Sequence, residues 1–254
     1  MKAKSNLLVA AATLVMMFGL AVPATRAADA FAGYDTAHKT NTAIVPVPRD
    51  EKWVQRHEGF VAIAKEGNFD LLFLGDSITD FWRTRGKAVW DTNFAPMKAA
   101  NFGISGDRTQ HVLWRIQNGE LDGAHPKLTV LMIGTNNTRT NTAAEIAEGV
   151  TAIVKQIQAK CPTGKILLLG VFPRANTPDE AEREKISQKI KDINRIIAGL
   201  DDGKSVKYLD IGAKFLDADG KLPKTVMPDL LHPNEKGYQI WADAIAPTVK
   251  EMMK

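Results

Sequence analysis

Ser77, Asp229 and His232 are the residues of this 254-residue chain whose types and surroundings could carry out acyl transfer. A serine hydroxyl is inert alone and needs a base within about 3 Å. His232 can be that base if its ring is held in one orientation. Asp229, three residues earlier in Asp229-Leu-Leu-His-Pro233, can accept from Nδ1 and leave Nε2 facing the serine. Pro228 and Pro233 restrict the backbone that carries both. Ser77 lies in Gly75-Asp76-Ser77-Ile78-Thr79-Asp80, where an apolar run turns into a helix, so its N–H is one of the unpaired donors of a helix start. The N–H of Gly106, in Gly103-Ile-Ser-Gly-Asp107, and the side-chain amide of Asn136, in Gly134-Thr-Asn-Asn137, complete a candidate oxyanion hole with the Ser77 N–H. Losing one such donor typically costs about 2.7–4 kcal/mol of barrier stabilisation.

Each residue also has a plainer reading. Ser77 could only cap a helix. Ser105, in Gly103-Ile-Ser-Gly106, is a rival nucleophile but lacks the full G-x-S-x-G elbow. Asp76, Asp80 and Asp107 could suggest a hard-metal site, yet Asp76 is better read as pinning the nucleophile turn and Asp80 as lying on the first helical turn. No metal and no cofactor is expected. Asn136 and Asn137 are adjacent, and the sequence does not say which points inward. His38, His57, His111 and His125 have no partner at a telling spacing, and Trp82 and Trp90 read as core or rim. Ile78 and Leu231, each beside a candidate catalytic residue, are expected to border an acyl pocket for a short group such as acetyl.

These residues need a frame that brings strand ends together. Short apolar runs at Phe69–Leu74, Ala99–Phe102, Leu128–Ile133, Lys165–Val171 and Val206–Asp210 are continuous rather than alternating, as strands buried on both faces are. Between them, Ile146, Val150, Ile153, Val154 and Ile157 share one helical face, as do Ile186, Ile190, Ile193, Ile197 and Leu200. A last helix follows the N-cap Asn234 and buries Tyr238, Trp241, Ala244 and Ile245. The alternation predicts a three-layer α/β/α sandwich with a five-stranded parallel sheet, whose ligands bind at the carboxyl ends of the strands.

Hydrophobic residues make up 44% and charged residues 24% of the chain, which excludes a disordered protein, and one cysteine, Cys161, excludes a disulfide scaffold or thiolate metal cluster. Lys2 and Lys4 precede the uncharged run Leu7–Val22, and small residues follow. That layout predicts a cleaved secretory signal over 1–27 and a secreted or periplasmic protein with no stable membrane insertion after cleavage. An extended segment over 28–50 and one domain over 51–254 follow. Loss of 1–27 removes Lys2, Lys4 and Arg26 and no acid, so the net charge falls from +4 to +1 and offers no footprint for nucleic acid.

Four blocks, around Ser77, Gly106, Asn136 and Asp229/His232, occur in the order of the SGNH subgroup of the GDSL esterase and lipase family, which this sequence resembles over roughly 49–250. Asn101-Phe-Gly-Ile-Ser-Gly-Asp107, Val112-Leu-Trp-Arg115 and Gly134-Thr-Asn-Asn137 are similar to the branch holding the catalytic subunits of platelet-activating-factor acetylhydrolase Ib. The resemblance implies a flavodoxin-like sheet and metal-independent ester hydrolysis, with Ser77 as nucleophile, Gly106 and Asn136 in the oxyanion hole, and Asp229 and His232 completing the triad. Many family members carry Asp where Asn137 stands. The expectation is an exported serine esterase acting on short-chain, chiefly acetyl, esters of a small molecule or polysaccharide. A lipid-directed acetylhydrolase or (lyso)phospholipase, an O-acyltransferase on glycans and a non-catalytic glycan-binding protein are the alternatives. Oligomeric state is not legible.

Overall fold

The computed structural model describes residues 40–254. The expected signal at 1–27, and His38, lie outside them, as does the extended segment as far as residue 39. Among the described residues no helix is long and apolar enough to cross a membrane.

Five parallel strands form one sheet: β1 (Leu71–Gly75), β2 (Ala99–Gly103), β3 (Leu128–Met132), β4 (Lys165–Leu169) and β5 (Val206–Leu209), in the order β2-β1-β3-β4-β5. β1 and β3 are buried along their whole length, whereas the edge strands β2 and β5 are half-buried over much of theirs. That is why the central runs are unbroken hydrophobic sequence and the edges are not. Register aligns Gly75 of β1 with Gly103 of β2 and Met132 of β3, so the three functional strand ends finish side by side.

Side chains alternate between two cores. Leu72 and Leu74 point into one, beneath α1 (Glu51–Glu66), α4 (Thr109–Arg115), α5 (Ala143–Lys160) and α6 (Glu180–Ile197). Leu71 and Phe73 point into the other, beneath α3 (Lys87–Asn93) and α7 (Glu235–Met252). Both isoleucine stripes are buried in the first core, with Leu200 half-buried in a turn after α6. Trp82, fully buried, stands in the second with Phe73, Phe94, Tyr238 and Trp241, and the half-buried Trp90 packs against it, so the first is core and the second its rim. The layers and sheet are those expected of a three-layer α/β/α sandwich. α2 (Ser77–Asp80) is a single turn after β1.

Residues 41–50 lie on this body. Ala43 is buried, its carbonyl accepts from Thr109 Oγ1 at 2.7 Å, and Val47 N–H donates to Gln110 O.

Candidate active site

The sharp turn from β1 into α2 is built by Asp76, whose carboxylate caps the helix by accepting from Ile78 N–H at 2.9 Å. Gly103 allows the turn to sit low: a Cβ there would stand 2.3 Å from the backbone nitrogen of Asp80. From below, Tyr238 of α7 donates its hydroxyl to Ile78 O at 2.7 Å, a support the sequence signalled only as a buried helix face. Ser77 opens the helix with its hydroxyl turned toward the triad loop. Ile78, about 100° further round, points into the second core at 1% exposure. It is therefore a packing residue and cannot border an acyl pocket. Leu231 is half-buried and packs against the same core.

Ser77 Oγ lies 2.9 Å from His232 Nε2, and His232 Nδ1 lies 2.8 Å from Asp229 Oδ2. An ionised carboxylate only accepts, so Nδ1 carries the proton and Nε2 is left to accept from the serine hydroxyl. The three-residue spacing works because Asp229 Oδ1 also accepts from the backbone N–H groups of Leu231 and His232. Leu230 between them adopts a left-handed conformation, φ 56°, and its carbonyl accepts from Ala175 N–H at 2.8 Å, tying the loop to the chain after β4. Burial alone would raise the Asp229 pKa, but the bonds from His232 backbone and ring, with the imidazole's charge, outweigh it and hold the carboxyl at about 2. Phe81 packs its ring 5.0 Å from that of His232, and Arg85 lies over Phe81 and 3.5 Å from Asp229 Oδ2.

Gly106 occupies a turn closed by Asp107 N–H to Ile104 O, with φ 83°, a conformation that L side chains rarely adopt. Asn136 donates its Nδ2 to Asp107 O at 2.9 Å, which ties its amide to the Asp107–Arg108 peptide, one residue past Gly106. Asn137 is the one sunk into the protein, bonded to Thr109, Gln110 and Asn141. The structure thus resolves the ambiguity between the two asparagines.

A buried ionic network that the sequence did not reveal fixes this wall. Asp107 accepts from Trp53 Nε1 at 2.7 Å and Arg49 Nη1 at 3.2 Å, and pairs with Arg115 Nε at 3.0 Å. Arg115, fully buried, also pairs with Glu120 at 2.5 Å and donates to Phe102 O. Burial alone would lower its pKa, but the two carboxylates keep it charged. Glu120 in turn meets His57 Nδ1 at 3.1 Å, so His57 belongs to a buried cluster rather than to a surface role. His111 accepts from Arg108 N–H; burial, then neighbouring arginines, lower its pKa to about 4. His125 is exposed.

Ser105 Oγ donates to Asp80 Oδ2 at 2.7 Å, and Asp80 also pairs with Arg56 and Arg83. The rival nucleophile's hydroxyl is therefore held by an anchored carboxylate rather than by a base. Asp76, Asp80 and Asp107 face separate partners, and among the described residues no three His, Cys, Asp or Glu side chains gather as a metal-ligand set. Cys161 is buried, and burial raises its thiol pKa.

A hydroxyl and an oriented imidazole, with Gly106 and Asn136 after neighbouring strands at the carboxyl edge of a parallel sheet, define a site able to perform acyl transfer. Residues 73–240 match the GDSL-like Lipase/Acylhydrolase family. The chain is 38% identical over 205 residues to platelet-activating factor acetylhydrolase IB subunit alpha2 of Rattus norvegicus, covering 78% of this chain and 86% of that one. Its fold is similar to that of a GDSL-like lipase from Bacteroides thetaiotaomicron, with a TM-score of 0.63 and 20% identity over 77% of this chain and 97% of that one. It is also similar to a carbohydrate acetylesterase from Sinorhizobium meliloti, with a TM-score of 0.57 and 19% identity over 72% and 99% of the two chains. The chain belongs to the GDSL-like lipase/acylhydrolase family and is a carboxylic ester hydrolase.

Proposed function

We propose that the protein hydrolyses short-chain, chiefly acetyl, esters through an acyl-enzyme on Ser77. The observation that carries this reading is the continuous relay from Ser77 Oγ to His232 Nε2 (2.9 Å) and from His232 Nδ1 to Asp229 Oδ2 (2.8 Å). Ser77 Oγ bonds to the ester carbonyl carbon as its proton passes to Nε2. Collapse of the tetrahedral intermediate breaks the C–O bond, and the imidazolium returns the proton to the departing alcohol. Water then repeats the sequence on the acyl-enzyme and releases the acid. Asp229 supports the imidazolium, and the Ser77 and Gly106 N–H groups with the Asn136 amide face the oxyanion. Preference for acetyl rests on the acetylhydrolase relatives.

Export is proposed from the basic, apolar and small-residue layout of residues 1–27. Outside the cytoplasm, acetylated carbohydrate is the favoured substrate. A lipid acetyl ester is the second reading, and the names of the acetylhydrolase relatives favour it. Profiling wild type on p-nitrophenyl acetate, acetylated xylan and short-chain phospholipid esters decides between them. Ser77→Ala should abolish p-nitrophenyl acetate hydrolysis and fluorophosphonate labelling while leaving the circular dichroism spectrum unchanged. Activity retained by the folded variant overturns the assignment.

A further inference from the structure

Arg174 follows β4 and is only 7% exposed, yet its guanidinium has no carboxylate partner among the described residues. Its bonds go to neutral acceptors: Asn176 Oδ1 at 2.9 Å, Thr135 O at 2.9 Å, Thr135 Oγ1 at 3.2 Å and Thr138 Oγ1 at 3.5 Å. Burial lowers its pKa, Arg139 adds to that, and Asp76 and Glu182 act on it only through longer-range attraction. Asp76 itself is fully buried, and desolvation raises its carboxyl to about 7, so it is a weak counter-ion near neutrality. A guanidinium stays protonated even so. A buried charge bonded only to neutral acceptors is costly, and an anion brought by a ligand would compensate it.

The place where such a group could arrive is a cavity of about 930 Å³ lined by Arg174, Arg183, Lys191 and Lys221 against Glu180 and Glu184. Its volume is that of a small-molecule site. Its wall at Arg174-Ala175 is joined to the site on two sides. Ala175 N–H holds Leu230 O of the triad loop, and Arg174 holds Thr135, the neighbour of Asn136. With the sheet order β2-β1-β3-β4-β5, the cavity is the next position along the carboxyl edge after the serine and the oxyanion donors.

We infer that this cavity receives the alcohol portion of the ester, and that Arg174, backed by Arg183, Lys191 and Lys221, binds an anionic group, carboxylate or phosphate, carried on that portion. This rests on the acyl-enzyme reading of Ser77. Glu180 and Glu184 across the cavity disfavour a second anion and can accept from hydroxyl groups of the same ligand.

The test compares kcat/KM of the whole protein for mono-acetylated glucose, mono-acetylated glucuronate and mono-acetylated glucose phosphate. The expected result is a preference of about ten- to a hundredfold for the anionic esters, expressed in KM and shrinking as sodium chloride is added. The two anionic arms distinguish a uronate from a phosphate. Arg174→Gln should bring the three esters to one value, and Lys191→Gln, which leaves the Thr135 contacts untouched, should reduce the ratio. Equal rates on the neutral and anionic esters by wild type overturn the inference and leave Ser77 unaffected, as does activity on p-nitrophenyl acetate with none on the three sugars. A uniform fall in kcat on all three esters in Arg174→Gln, with the ratio intact, shows a merely structural arginine and also overturns it. Loss of fluorophosphonate labelling in wild type would instead strike the Ser77 reading.

Discussion

Asp229 has 44% of its side chain in solvent, so water does not keep it in place; hydrogen bonds do. Two backbone donors hold one oxygen and the imidazole takes the other, and this is why its carboxyl stays ionised down to about pH 2. An imidazole has to be neutral to accept the serine proton, so we expect kcat/KM to fall on acidification. A kcat/KM that does not change with pH, measured at constant ionic strength, excludes an imidazole base. Asn136 makes a second residue-scale prediction. Its amide is oriented by Asp107 O and contributes to no core network, so Asn136→Ala should leave the melting temperature nearly unchanged. Its kcat should drop by about 10²–10³, with little change in KM, if the amide faces the developing oxyanion. A proportionate rise in KM instead would make it a ground-state binding group.

At the scale of elements, the single turn α2 depends on close approach to β2. Gly103→Ala would drive a Cβ against the backbone of Asp80, and backbone cannot swing aside as a flexible side chain can. The expected cost is about 1–3 kcal/mol of stability, read by urea denaturation, together with a fall in kcat as Ser77 is lifted from His232. Full activity in this variant would mean that the turn tolerates displacement. The elements were largely legible in the sequence. Each strand starts or ends within two residues of its apolar run, because burial between two helical layers demands unbroken hydrophobic sequence. α2 was legible only as a helix start: four residues carry no periodicity.

For the whole molecule, Asp76 couples the site to stability. An ordinary aspartate ionises near 3.8, whereas desolvation raises this one to about 7. Between those values the unfolded chain has released a proton that the native state keeps, so ν_U is below ν_N and stability falls as pH rises. Above about 7 both states are ionised and the loss is complete. Asp76→Asn does not titrate, so wild type should lose ground to it from about pH 4 to pH 7 and keep a constant difference beyond. Urea denaturation curves of both proteins across that range provide the measurement. A difference independent of pH would show the carboxylate ionised throughout.

Residue types and local spacing determined the strand–helix alternation, the choice of Ser77, Gly106, Asp229 and His232, and the short Asp–His loop, because each of these is a matter of periodicity or of chemistry within a few positions. Whatever depends on which way a side chain turns had to wait for the fold. Ile78 and Ser77 are neighbours in sequence, yet the helical turn sends one into the core and the other toward His232. Arg115, Asp107, Glu120 and His57 look like unrelated charges until packing removes water from all four at once. Arg174 differs from any surface arginine only through its burial beside a cavity with no carboxylate bonded to its guanidinium. Solvation and direction are properties of the assembled structure, since both depend on neighbours that are distant along the chain.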